Sequence, residues 1–188
     1  MEKGELKAII EALLCLSSEP VSMEQMAKVI DEAEKKRIKE ALNELIADYN
    51  DDNRGVKIRE IAGGYQIVTR PHYDRWIKKH FALASKVKLS LPALETLAMI
   101  AYRQPITNPE ISAIRGVDST GVLKTLLEKR LIRIKGRKKV VGRPLIYRTS
   151  REFLIHFGLK NLSELPTLEE FEQIITSEEK KEKEEKEP

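Results

Sequence analysis

The strongest chemical concentration in this chain is cationic. Between residues 115 and 151 stand twelve Lys and Arg side chains against two acidic ones. Within it, Arg137, Lys138 and Lys139, followed by Arg143 and Arg148, suit phosphate oxygens or the carboxylates of an acidic partner chain. The residue patterns of an enzyme are missing. His72, His80 and His156 never fall at His-x-x-x-His spacing or beside a cysteine cluster, which argues against zinc. No Walker A sequence, Gly-x-Gly-x-x-Gly loop or nucleophile elbow occurs. Asp51-Asp52-Asn53-Arg54-Gly55 has the outline of a calcium loop, but its Gly comes one place early and Ala62 stands where the bidentate Glu belongs. It reads instead as a break between a helix and a strand. Cys15 lies on an apolar helix with no His or cation at a helical offset to favour a thiolate, so a packed structural thiol is expected. No catalytic residue, cofactor or metal is expected.

The elements that would hold the cationic group repeat an order already written once upstream. Leu6, Ile9, Ile10 and Leu13 recur at helical spacing, predicting a helix over 5–17 that ends before Pro20. Ser22 and Gln25 form a capping-box signature for a second helix to about Ile30. Asp31 is expected to cap a third, with Ile38, Leu42, Leu45, Ile46 and Tyr49 on one face. Alternating Val56, Ile58 and Ile61, then Gly63-Gly64, then Tyr65, Ile67 and Thr69 predict a β-hairpin. A short helix over 72–81 follows.

Downstream the order returns. Ser90 caps a helix whose expected core face is Leu91, Leu94, Leu97, Ala98, Ala101 and Tyr102, broken by Gln104-Pro105. Thr107 and Glu110 repeat the capping box, with Pro109 in the first turn. Gly116 ends that helix, and Asp118 is expected to start the next, with Val122, Leu123, Leu126 and Leu127. A strand over 131–134, a basic loop over 135–143, a returning strand over 145–149 and a helix capped by Ser150 complete the copy. Three helices and a two-stranded wing make a winged helix. The expected class is therefore α+β, mainly α, with tandem winged-helix domains at 1–81 and 90–158. A linker at 82–89 joins them, and a C-terminal extension at 159–177 leads to a charged, disordered tail at 178–188.

Composition agrees with that reading. A chain of 188 residues with 34% charged and 5% aromatic side chains suits one ordinary domain or two small ones with a heavily charged surface. No apolar run approaches the roughly 20 residues a bilayer requires. One cysteine and no signal-peptide pattern point to the cytoplasm. Residues 152–188 carry eleven acidic and five basic side chains, opposite in sign to the segment before them.

Arg115-Gly116-Val117-Asp118-Ser119 with Gly121-Val122-Leu123, Leu126-Leu127-Glu128, Gly142-Arg143-Pro144-Leu145-Ile146-Tyr147, and Phe153-Leu154 with Phe157-Gly158-Leu159 resemble the segregation and condensation protein B family. Ala101-Tyr102-Arg103-Gln104-Pro105-Ile106-Thr107 fits it as well. The resemblance implies a non-enzymatic subunit of a bacterial condensin-like complex. Such a subunit binds a kleisin that bridges the heads of an SMC ATPase and acts in chromosome condensation and partition. A homodimer, chiefly through the first domain, and a place at the nucleoid are implied too.

The residues themselves leave two uses open for a tandem winged helix. One is a DNA-binding transcriptional regulator, since the third helix of this fold commonly enters the major groove. Here, however, the first copy's third helix mixes Glu34, Glu40, Glu44 and Asp48 with lysines. The second copy's offers Ser119, Thr120 and Lys124 but no Asn, Gln or Arg until Arg130 at its end, so little is available for bidentate base reading. The other use is a protein-interaction scaffold with at most weak, non-specific DNA contact. Ala8, Ala12 and Cys15 on the first helix, and Met99 and Ile100 on the first helix of the second copy, lie off the expected core faces and are candidate interface residues.

Overall fold

The computed structural model describes residues 1–81, 89–167 and 170. Apart from Leu89, the expected linker lies outside the described residues, as do the tail at 178–188 and all of 168–177 except Glu170.

Two winged-helix units succeed one another. The first comprises α1 (Lys3–Leu16), α2 (Met23–Val29), α3 (Lys35–Asp48), strands β1 (Val56–Ile61) and β2 (Gly64–Thr69), a 3-10 turn (Pro71–Tyr73) and α4 (Asp74–Phe81). The second comprises α5 (Leu91–Arg103), β3 (Ile106–Thr107), α6 (Asn108–Arg115), α7 (Thr120–Glu128), β4 (Ile132–Arg137), β5 (Leu145–Thr149), α8 (Arg151–Phe157) and a 3-10 turn (Leu162–Glu164). Each has its own core. Leu6, Ile10, Leu14, Met26, Ile38 and Leu42 are almost wholly buried in one, and Leu97, Ile100, Ile111 and Leu126 in the other. Each such side chain contributes about 1.5–3 kcal/mol of burial.

The repeat extends to a detail absent from the sequence reading. After the first helix of each unit the chain adds a short edge to the wing. Val21 bridges Tyr65 in the first unit, and Ile106 pairs with Tyr147 in the second, so the second sheet has three strands in the order β3-β5-β4. Both capping boxes form: Ser22 N–H donates to Gln25 Oε1 at 2.8 Å, and Thr107 N–H donates to Glu110 Oε2 at 2.8 Å. The first wing turns at Ala62 and Gly63, both at positive φ, as a two-residue hairpin requires. Gly64 answers to close approach instead, because a Cβ there would stand 2.9 Å from the Pro20 carbonyl carbon.

Several expectations are corrected. Asp31 does not cap α3; it sits in a turn, Glu34 is the N-cap, and Ala33 is buried between them. Ser119 rather than Asp118 stands at the start of α7, because Asp118 Oδ1 accepts from the Thr120 backbone and hydroxyl in a local turn. Strand β4 continues to Arg137 instead of ending at Ile134, its register slipping between Ile134 and Gly136. On α5 the buried face is Ala93, Thr96, Leu97, Ile100 and Ala101, leaving Leu91, Leu94 and Tyr102 exposed. Thr96 makes this rotation possible, since its hydroxyl donates to the Pro92 carbonyl at 2.8 Å and can be buried satisfied.

The 51–55 run is indeed a corner. Arg70 pins it, donating to Asp52 Oδ1 at 2.9 Å and to the Tyr49 and Asp51 carbonyls at 3.0 and 2.8 Å. The units touch at both ends of α8. Arg151 reaches Glu19 at 3.1 Å and the Pro20 carbonyl at 3.2 Å, the Ala62 N–H donates to the Leu159 carbonyl at 2.9 Å, and Lys160 pairs with Glu60 at 2.8 Å. Among the described residues no helix is long and apolar enough to cross a membrane.

Candidate partner-binding surfaces

The second wing projects its cations from β4, β5 and the loop between them. That loop is tied by the Lys138 N–H to the Pro144 carbonyl and by the Arg143 N–H to the Val140 carbonyl, each at 2.9 Å. Arg137 donates to the Arg143 carbonyl at 3.1 Å. Lys138 is not free for a ligand: its ammonium stands 2.6 Å from Glu110 Oε1, and Glu110 also accepts from the Thr107 hydroxyl and N–H. The Lys138 hydrogen bond, then the Thr107 ones, lower the Glu110 carboxyl to about 2. The capping box of α6 is thereby stitched to the wing. Arg137, Lys139 and Arg143 remain exposed beside Val140 and Val141, the latter fully in solvent.

Arg148 does not belong with them. It lies half-buried on β5 opposite Arg133 of β4, and both line a cleft of about 630 Å³ that also receives Arg130 and Arg151. The candidate group thus divides into a wing tip and a cleft. Arg133 and Arg151 were not among the sequence candidates; for Arg133 only the strand register shows that it faces Arg148. Alternation along the two strands, counted back from Tyr147 in the core, carried that signal.

The apolar candidates divide as well. Ala8, Ala12 and Cys15 are exposed on the outer face of α1, continued by Leu16 at 87% exposure. Cys15 is therefore not packed, because the inward row of α1 is Leu6, Ile10 and Leu14. Ile100 is 0% exposed and part of the second core, so it has no surface to offer a partner; Met99 is half-buried at the core's edge. A further apolar surface was missed. On α4 no residue is buried, and Trp76 and Phe81 are 62% and 57% exposed. Among the described residues no three His, Cys, Asp or Glu side chains gather to hold a metal ion.

A family profile described as segregation and condensation complex subunit ScpB matches residues 8–168. Segregation and condensation protein B of Syntrophotalea carbinolica is 51% identical over 174 residues, covering 93% of this chain and 87% of that one. The chain belongs to the ScpB family. Another ScpB-family relative, segregation and condensation protein B of Clostridium perfringens strain 13, is 42% identical over 173 residues, covering 92% of this chain and 88% of its own. Among solved structures, ScpB from Mycobacterium tuberculosis is similar at 31% identity, covering 85% of this chain and 98% of that one, with a TM-score of 0.42. A dimer of an ScpB N-terminal domain complexed with ScpA peptide covers 41% of this chain and 95% of that one at 31% identity, TM-score 0.38. The ScpB-family match takes in both wings, and with them the wing tip and the arginine cleft.

Proposed function

We propose that this chain is a non-enzymatic accessory subunit of a bacterial condensin-like SMC–kleisin complex. It binds the kleisin subunit, which bridges the SMC ATPase heads, and acts in chromosome condensation and partition. Membership of the ScpB family over residues 8–168 carries this reading. The surface chemistry supports it: exposed apolar side chains on α1 and α4, and cations held on a wing rather than along a recognition helix. The exposed side of α7 offers Thr120, Lys124, Thr125 and Glu128, none of them a bidentate base reader comparable to Arg, Asn or Gln at the helix centre.

In this reading the protein is a homodimer in the cytoplasm, associated with the nucleoid through its complex. The outer face of α1 at Ala8, Ala12 and Cys15 serves the dimer, with Met99 at the rim of a second contact. Arg137, Lys139 and Arg143 serve a partner chain or weak, non-specific phosphate contact. Affinity purification from the source organism with mass spectrometry tests it. Recovery of SMC and kleisin subunits is expected; recovery of a single promoter fragment alone would establish a regulator instead.

A further inference from the structure

The cleft behind the second wing presents an unusual electrostatic arrangement. Arg133 and Arg148 stand directly opposite each other in the β4–β5 ladder. Like charges in that position repel. Among the described residues neither side chain has an ion-pair or hydrogen-bond partner, and the Arg148 Nε atom is buried without an acceptor. Buried donors in folded proteins are satisfied by protein groups, ordered water or a ligand, and the described residues offer the Arg148 Nε–H no acceptor. Arg130 adds a third guanidinium, while among the described residues of the lining the only acid is Glu152. Arg151, a fourth, is already engaged by Glu19 and Pro20 of the first unit, so it fixes one wall rather than awaiting a ligand.

The remaining walls choose between anions. Leu127, Leu154 and Leu162 line the same space, which makes it half cationic and half apolar. A phosphodiester backbone has nothing to set against leucines in a concave site. The wing tip, where Arg137, Lys139 and Arg143 are exposed, offers phosphates cations without such apolar walls. A peptide bearing a carboxylate next to an apolar side chain matches both halves, and a guanidinium fork binds a carboxylate bidentately. We propose that this cleft is a recognition site for a carboxylate on an acidic, leucine-bearing segment of a partner polypeptide. The proposal rests on the scaffold reading above and names the chemistry of one of its contacts.

The test titrates the purified full chain with the kleisin subunit encoded in the same genome. It compares Arg133→Glu/Arg148→Glu in the cleft with Lys36→Glu/Lys39→Glu, an exposed pair on α3 outside every proposed contact. The cleft pair is expected to bind about tenfold more weakly or worse, and the α3 pair within about twofold of the unaltered chain. Arg133→Lys/Arg148→Lys keeps the charge and the fold but loses the fork, and is expected to fall between them. On binding, the Arg148 Nε–H resonance should move.

Kleisin binding by the cleft pair equal to the unaltered chain overturns the proposal while leaving the scaffold reading intact. Failure of the unaltered chain to bind kleisin overturns both. Weaker binding to a duplex of about 20 bp with kleisin binding intact would make the cleft a phosphate site. Loss of dimer mass with kleisin binding intact would give the cleft to a second copy. Movement of the Arg148 Nε–H signal in the free protein, when the glutamates of 169–187 are replaced by Gln, would give it to the chain's own C-terminal segment. Each of these three outcomes overturns a partner carboxylate.

Discussion

Replacing Glu110 by Gln isolates a pH-dependent stitch between α6 and the wing. The variant retains a side-chain oxygen for the Thr107 N–H and so keeps the capping box, reproducing the neutral Ser22/Gln25 box of the first unit. What it removes is the ion pair with Lys138 at 2.6 Å. Glu110 falls from an ordinary 4.5 to about 2 in the folded chain, first through Lys138 and then through Thr107. Converted in full, that drop is about 3 kcal/mol. The two side chains are 43% and 46% exposed, however, and solvent screening brings such a pair to ~1 kcal/mol. The sign follows from the depressed carboxyl. Its contribution is complete above the unfolded value of 4.5 and is lost as pH falls toward about 2. Urea denaturation followed by circular dichroism should find Glu110→Gln destabilised by ~1 kcal/mol at neutral pH, with less than half of that gap left at about pH 3. Ser22→Ala should cost about 1 kcal/mol at both pH values, since its box carries no charge. A gap between Glu110→Gln and the unaltered protein that is equally large in acid would refute the reasoning.

Further outcomes follow from packing and charge. Gly64→Ala drives a Cβ to within 2.9 Å of the Pro20 carbonyl carbon and should destabilise the first unit by about 1–3 kcal/mol in urea, whereas Gly55→Ala, with open space around it, should change little. Ala12→Glu or Cys15→Glu should lower the dimer mass in light scattering while leaving the circular dichroism spectrum unchanged, both positions being exposed. Ile100→Ala should cost about 2–5 kcal/mol, the range for emptying a core site. Removing residues 178–188 should raise duplex DNA affinity at about 50 mM salt, and adding Arg137→Glu/Lys139→Glu should cancel the gain; equal binding by the intact and shortened chains would exclude masking of the wing by that acidic segment.

The repeat was readable because both units spell out their capping boxes and wing alternation in residue types whose physics is local. Ser22 with Gln25 and Thr107 with Glu110 mark helix starts wherever they occur. The third edge of each wing was not readable, since Val21 and Ile106 make single pairings with residues about 40 positions away. The face of α5 misled for a different reason. Leu91, Leu94 and Ala98 look like core, and only a satisfied Thr96 hydroxyl shows that the helix turns another side inward. The cationic candidates were identified by composition but sorted only by register, which separates Arg148 and Arg133 from the wing tip.

The most direct measurement of the central claim is the mass of the complex formed when the purified full chain is mixed with the kleisin subunit of the same genome, followed by addition of SMC head domains. Stoichiometric co-elution of two copies of this chain with kleisin, and recruitment of the heads only when kleisin is present, is the predicted result. Separate elution of this chain and kleisin at tens of micromolar, with each at its own mass, would contradict it.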